Sequence, residues 1–247
     1  MIDDSIAPLR IAIAGAGGRM GRALVSAVIA EPGCSLAGAF ESPGHSGIGA
    51  DPGVLAGLEP TGLSIVPGIN ALAETAETPP DAVIDFTVPE ASCAHAEHIA
   101  AHGGVHVIGT KGFSPEQEEA LASAAERSVI VKSGNMSLGV NLVAALVKTV
   151  AKSLGEDWDI EVLEMHHRHK VDAPSGTALM FGDAAASGRG VDLAARSARG
   201  RDGHTGERKT GDIGFAVMRG GSVVGDHTVI FAGDRERVSL SHHAEDR

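Results

Sequence analysis

The chain has no tyrosine, a single tryptophan and six phenylalanines, so aromatics make up only 3% of its 247 residues. Any core must therefore be filled by Ala, Val, Ile and Leu, and the 43% hydrophobic content is ample for that. Cysteine is nearly as scarce. Cys34 and Cys93 stand in unrelated contexts and form no CxxC, which excludes a disulfide framework and a cysteine zinc motif. No apolar run reaches the roughly 20 residues that cross a bilayer, and the N-terminus lacks a basic segment followed by an apolar one. A cytoplasmic protein with no membrane partner is expected. Positive charge is also in deficit: the net charge of -12 argues against a nucleic-acid partner.

That deficit is uneven. Residues 1–127 carry 16 acidic and 5 basic side chains, a balance of -11, whereas residues 128–247 carry 16 and 15, a balance of -1. The asymmetry suggests two domains and makes the second the better receiver of an anion.

The first half alternates short apolar runs with amphipathic stretches. Strands are expected at Leu9–Ala14, Cys34–Phe40, Ala82–Phe86, Val105–Ile108 and Val129–Lys132. Helices are expected at Arg19–Ala30, at Pro89–His102 and after Ser114, where Ser-Pro-Glu-Gln has the form of a capping box. Residues 42–62, rich in Gly, Pro and Ser, read mostly as loop. This alternation predicts an α/β fold, a Rossmann-like doubly wound parallel sheet. The second half changes character. A helix over Leu138–Leu154 and a strand over Asp159–Glu164 precede a helix from about Gly176 to Phe181, then a partly helical stretch over Asp183–Arg199. Further strands at Ile213–Met218 and Val223–Phe231, joined by a turn at Arg219-Gly220-Gly221, read as a hairpin, and a last strand covers Arg237–Ser241. A second α+β domain with a mixed or antiparallel sheet is expected, its exposed faces suited to a subunit interface.

The turn Gly15-Ala16-Gly17-Gly18-Arg19-Met20-Gly21 sits where a dinucleotide site needs it, after the first strand and opening a helix. Glycines let the backbone approach a pyrophosphate, and the helix start offers N–H groups. The match to G-x-G-x-x-G is imperfect, because Met20 stands in the last glycine's place. An ordinary strand-to-helix turn is the plainer alternative. Glu41, 20 residues beyond Gly21 and at the end of the second strand, favours the dinucleotide, since a carboxylate there accepts hydrogen bonds from a ribose. Ser42 follows with no nearby arginine to hold a 2′-phosphate, which favours NADH over NADPH. Asp85-Phe86-Thr87, Gly109-Thr110-Lys111 and Ser133-Gly134-Asn135-Met136 follow later strands and are candidate lining for the nicotinamide pocket.

The densest feature is His166-His167-Arg168-His169-Lys170, followed at once by Val-Asp-Ala-Pro-Ser-Gly-Thr. A metal site lacks a partner motif, so none is expected. A plain basic surface patch suits Arg168 and His169. An acid-plus-anion site fits the whole stretch best. A helix starting near Gly176 and Thr177 offers backbone N–H groups to a carboxylate. His and Lys beside it neutralise that anion and supply a proton. A dinucleotide site joined to a proton donor spells reduction.

These motifs resemble those of the bacterial 4-hydroxy-tetrahydrodipicolinate reductase (dihydrodipicolinate reductase) family. The glycine turn, Glu-x-His-His-Arg-His-Lys-x-Asp-Ala-Pro-Ser-Gly-Thr-Ala, Arg219-Gly-Gly, Val224-Gly-Asp-His-Thr-Val and residues 242–247 all take part, so the resemblance spans essentially the whole chain. It implies reduction of a cyclic dicarboxylate by NADH or NADPH in lysine and diaminopimelate biosynthesis, by a homotetramer joined through the second domain's sheets. It also implies His166 as proton donor and acceptor, Lys170 as a further donor, and His167, Gly176 and Thr177 as carboxylate ligands. Gly15, Ala16, Gly17, Gly18, Arg19, Met20, Glu41, Gly109, Thr110, Lys111, Ser133, Gly134, Asn135 and Met136 would line the cofactor site. The domains are expected at 1–133 (dinucleotide-binding) and 134–239 (substrate-binding and oligomerisation). The family's closing segment, returning to the first domain, is expected from about residue 240 and is cut short at Arg247. The alternatives are another two-domain reductase of a small carboxylate and a non-catalytic NADH sensor. The His-His-Arg-His-Lys run speaks against the first, and the intact His166 and Lys170 against the second.

Overall fold

The computed structural model describes residues 7–75 and 78–246. Its contacts divide the chain into two compact units, up to Ser133 and from Gly134 onward. In the first, β1 (Leu9–Ala14), β2 (Cys34–Glu41), β3 (Val66–Pro67), β4 (Ala82–Asp85), β5 (Val105–Ile108) and β6 (Val129–Lys132) form one sheet in the order β3-β2-β1-β4-β5-β6. Every neighbouring pair is parallel. That order reverses at β1/β4, the topological switch point at which doubly wound sheets bind ligands.

The period of two along β1 explains the layering. Ile11 and Ile13 pack with Val25 and Val28 of α1 (Arg19–Ala30), while Ala12 and Ala14 pack on the other face with Leu72 and Ile99. Leu72 belongs to α3 (Ile69–Thr75) and Ile99 to α4 (Pro89–His102). The expected loop at 42–62 holds one short helix, α2 (Pro52–Leu55), started by the Asp51 side chain. Neither β3 nor α3 stands out in the sequence, because two strand residues and seven helical ones are too short to show a period. In contrast, α5 (Pro115–Ala125) carries the capping box that Ser114 and Gln117 foretell.

The second unit is a sheet of order β11-β10-β7-β9-β8 covered by two helices. Its elements are α6 (Leu138–Ser153), β7 (Asp159–His166), α7 (Gly176–Arg189), α8 (Leu193–Arg196), β8 (Ser197–Ala198), β9 (Ile213–Arg219), β10 (Gly225–Ala232) and β11 (Arg237–Ala244). Val147, Phe181, Ile160, Val162, Val229 and Phe231 are the centre of its core.

Three expectations change here. β9 and β10 do not form a hairpin. They flank β7 on either side, β9 parallel and β10 antiparallel, and the hairpin is β10 with β11. The Arg219-Gly220-Gly221 turn instead crosses the end of β7, bonded by Gly220 N–H to His166 O at 2.9 Å and by Arg168 N–H to Gly221 O at 3.2 Å. The helix from Gly176 does not stop near Phe181. It runs through Gly182 to Arg189, because Phe215 packs against the bare Gly182 and Gly190 ends the helix at φ +67. Finally, the last strand, expected over Arg237–Ser241, runs further: β11 extends to Ala244, paired throughout with β10.

Gly21 sets the fit of α1 against the glycine turn. A Cβ there would lie 2.0 Å from Gly15 O and 2.6 Å from Ala16 Cα, backbone atoms that cannot swing aside. Gly21→Ala is expected to destabilise the protein by about 1–3 kcal/mol, as overpacking does, measured as a lower urea midpoint with unchanged slope.

Candidate functional site

In the first unit, the end of β2 and Gly15, the first residue of the glycine turn, border a concavity. Gly15 has φ +66, a left-handed geometry that favours glycine, and its N–H donates to Phe40 O at 2.9 Å. Gly18 caps α1 with no side chain on the helix N–H groups. Glu41 is buried at the end of β2, and its carboxylate accepts from Gly17 N–H at 3.0 Å and Ser42 N–H at 3.1 Å. Gly15 of the turn, Glu41, Ser42 and Thr87 line one cavity. The third fingerprint glycine is thus Gly21 in place, though shifted by one position in the sequence. These features fit a dinucleotide: a glycine turn, a helix start with no side-chain cap and a carboxylate at the end of the second strand.

Of the other cofactor candidates, Gly109 keeps room for Phe86, whose ring would sit 2.1 Å from a Cβ there. Thr110 is buried, sharing a hydrogen bond with the Ser92 hydroxyl at 2.8 Å, whereas Lys111 is exposed. Asp85 does not offer a free carboxylate. It is fully buried and holds Thr87 N–H (2.9 Å), Thr87 Oγ1 (2.6 Å), His95 Nδ1 (2.8 Å) and His106 Nε2 (3.2 Å). Burial alone would raise its pKa, but the hydrogen bonds from His106, His95 and Thr87 prevail and hold it well below the usual carboxylate range. Asn135 belongs to the second unit, where its side-chain amide donates to Thr177 Oγ1 at 3.0 Å.

The second unit holds a polar cluster inside its core face. The buried residues of β7 are Ile160, Val162, Glu164 and His166, so the helix-facing row changes from apolar to ionisable halfway along one strand. β10 does the same in reverse, with Gly225 and His227 before Val229 and Phe231. Register sets His227 opposite Glu164 and Arg219 opposite His166. Glu164 is 1% exposed. Its Oε2 accepts from His166 Nδ1 in a very short contact and from Arg219 Nη1 at 2.9 Å, while Oε1 accepts from Arg219 Nη2 at 3.1 Å and Ser175 N–H at 2.9 Å. Desolvation pushes its pKa up, but Arg219, His166 and the Ser175 N–H outweigh it, and the group is held below its ordinary value.

His227 lies edge-on to His166, ring centroids 5.0 Å apart, and its Nε2 pairs with Ser175 Oγ at 3.0 Å. Burial, with His166 alongside, lowers its pKa to about 4, so it is neutral near pH 7. Ser175 also caps α7, its Oγ accepting from Ala178 N–H at 3.1 Å. Gly176 and Thr177 thus open a 14-residue helix. Lys170 stands apart from the buried cluster. Its ammonium is paired with Asp172 Oδ1 at 2.7 Å, in the turn that His167 begins, and Asp172 O accepts from Arg219 Nη2 at 2.7 Å. Glu164, Arg219 and His227 were missing from the sequence-derived site. Glu164 and His166 share a strand face by their spacing, a signal open to a reader of the sequence, but His227 and Arg219 arrive only through pairing of distant strands.

The described residues contain two sets of three side chains with metal-ligand atoms in reach of one another, Asp85-His95-His106 and Glu164-His166-His227. In both, the carboxylate already serves as hydrogen-bond acceptor for the neighbouring imidazole.

A Rossmann sheet with a carboxylate at the end of its second strand, in one chain with a second unit that buries a Glu–His cluster, is the pattern of a nicotinamide-dependent oxidoreductase of a small molecule. Family models described as "Dihydrodipicolinate reductase, N-terminus" and "Dihydrodipicolinate reductase, C-terminus" match residues 9–136 and 139–247. The chain belongs to the dihydrodipicolinate reductase family. It is 57% identical over 239 residues to a 4-hydroxy-tetrahydrodipicolinate reductase of Rhodopseudomonas palustris (strain BisB18), covering 97% of this chain and 87% of that one. It is 56% identical to the enzyme of that name from Bradyrhizobium sp. (strain ORS 278), covering 96% and 86%. Its fold is similar to that of a dipicolinate-bound dihydrodipicolinate reductase from Paenisporosarcina sp. TG-14, with a TM-score of 0.73 at 23% identity, covering 97% and 89% of the two chains. No helix among the described residues is long and apolar enough to cross a membrane.

His227 generates a test of stability against pH. Its folded pKa of about 4 lies below the ordinary 6.5, so the unfolded chain binds the extra proton between those values. Stability is therefore fully present above about pH 6.5 and falls as pH drops towards 4, by on the order of 3 kcal/mol from this group. Urea midpoints from pH 7.5 to 4.5 should fall, and His227→Asn should flatten that slope. An equally steep slope in the variant would assign the loss to other groups.

Proposed function

We propose that this protein reduces 4-hydroxy-tetrahydrodipicolinate to tetrahydrodipicolinate and water, at the expense of NAD(P)H, in lysine and diaminopimelate biosynthesis. The observation that carries the chemistry is the buried Glu164–His166 pair beside the Ser175-capped start of α7. Family membership carries the substrate. The residues from Gly15 to Met20, with Glu41, Gly109, Thr110, Lys111, Ser133, Gly134, Asn135 and Met136, hold the cofactor. Bound nicotinamide supplies the hydride.

The chain's own groups do the rest. His167 and the backbone N–H groups of Gly176 and Thr177 hold the substrate's carboxylates, where a helix start favours negative charge. His166 delivers a proton from Nε2 to the substrate atom left electron-rich, and Lys170, released from Asp172, is the second proton source. The first unit is the dinucleotide-binding domain and the second the substrate-binding one. Glu41 followed by Ser42 favours NADH: a carboxylate repels a 2′-phosphate, and no arginine follows to receive one. A homotetramer assembled through the second sheet is supported by Val217 and Met218, large apolar side chains that stand exposed on β9.

The decisive assay supplies the substrate from the preceding synthase and follows NADH and NADPH oxidation. No turnover with either cofactor would sink the reading. His166→Gln is expected to lower kcat roughly 100-fold or more, and a wild-type rate would leave the residue merely structural. Ser42→Arg should improve kcat/KM for NADPH by roughly 10-fold, the worth of one charge-assisted hydrogen bond. An unchanged ratio would move the choice of cofactor elsewhere.

A further inference from the structure

A carboxylate has about four lone-pair sites and, when ionised, donates nothing. All four of Glu164 are met: His166 Nδ1 and Arg219 Nη1 on Oε2, Arg219 Nη2 and Ser175 N–H on Oε1. With Glu164 ionised by those donors, the hydrogen between it and His166 belongs to Nδ1. The ring's other nitrogen is then the one that gains and loses a proton. That nitrogen faces bare backbone: a Cβ at Gly225 would stand 3.1 Å from His166 Nε2, tighter than ordinary contact.

Arg219 completes the arrangement from a third strand. Its guanidinium bridges both carboxylate oxygens, a two-bond geometry that stops Glu164 from rotating. The same Nη2 donates to Asp172 O, and Asp172 holds Lys170, so one guanidinium ties together the supports of both proton-bearing residues. Neither Glu164 nor Arg219 needs to touch the substrate for this.

We propose that Glu164, clamped by Arg219, is the positioning residue that holds the His166 ring proton on Nδ1 and so makes Nε2 the single site of proton exchange. In the step itself, the Nε2–H bond of the imidazolium breaks, its proton goes to the electron pair left on the substrate by hydride addition, and a neutral Nδ1–H imidazole remains. Glu164 keeps its charge throughout. Solvent returns the proton to Nε2 before the next cycle. His227, neutral and tied to Ser175, adds no competing charge at that moment.

The inference rests on His166 as proton donor and is tested apart from it. Nitrogen-15 NMR of the full-length wild-type protein should show neutral His166 as the Nδ1–H tautomer. Glu164→Gln should yield mixed tautomers and lower kcat by about 10-fold or more, with KM for substrate and cofactor little changed. Arg219→Lys, which keeps the charge but loses the fork, should fall between wild type and Glu164→Gln in kcat. An Nε2–H tautomer in the wild type, or a Glu164→Gln enzyme that keeps kcat or loses only KM, would overturn the positioning role. The wild-type spectrum decides the matter if either variant fails to fold. A His166→Gln enzyme with full turnover would instead defeat the functional reading beneath it.

Discussion

Burying an ionised carboxylate costs several kcal/mol unless its lone pairs find donors, and Glu164 finds them on three separate segments. The donors come from the end of β7, the end of β9 and the turn before α7, where Ser175 also engages His227 of β10 through its hydroxyl. Much of the second unit's architecture follows from that requirement. β9 must run beside β7 for Arg219 to arrive. The chain then crosses the end of β7 at Gly220 and Gly221, so that β10 can place His227 on the other side. Ser175 must start α7 where its N–H reaches the carboxylate and its hydroxyl caps the helix. Each of these elements also contributes to the apolar core, so the site inherits the rigidity of the packing.

The first unit meets a similar demand by another route. Asp85 is buried at the end of β4 and spends its carboxylate on Thr87, His95 and His106, so that acid organises the strand end instead of meeting a ligand. Glu41, at the end of β2, accepts instead from the backbone N–H groups of Gly17 and Ser42 and lines the cavity that Gly15 borders. Two carboxylates at the ends of β2 and β4, the strands on either side of β1, thus differ through what surrounds them. Sequence position alone does not separate them.

The alternation in the first half made the parallel sheet readable strand by strand from β1 through β6, apart from the two-residue β3. Short apolar runs and Gly or Pro breaks are strong local signals. The second half was readable as elements but not as topology. The Gly220-Gly221 pair has the look of a hairpin turn, but β9 and β10 pair with opposite edges of β7, so the connection is a crossover. The helix expected to end near Phe181 likewise continues, because Phe215 occupies the space that the missing side chain of Gly182 leaves.

The sequence by itself determined the chemistry available: a glycine turn after a strand, an acid 20 residues on, and five cationic or titratable residues before a helix start. Those are local patterns, set by residues that are neighbours along the chain. Which histidine holds its ring proton at Nδ1, which acid is consumed inside the fold and which cation is already paired were decided by tertiary structure. Glu164 and Arg219 lie 55 residues apart, and His227 reaches Ser175 across 52. Only the pairing of β9 and β10 with β7 brings Arg219 to the Glu164 carboxylate and His227 beside it.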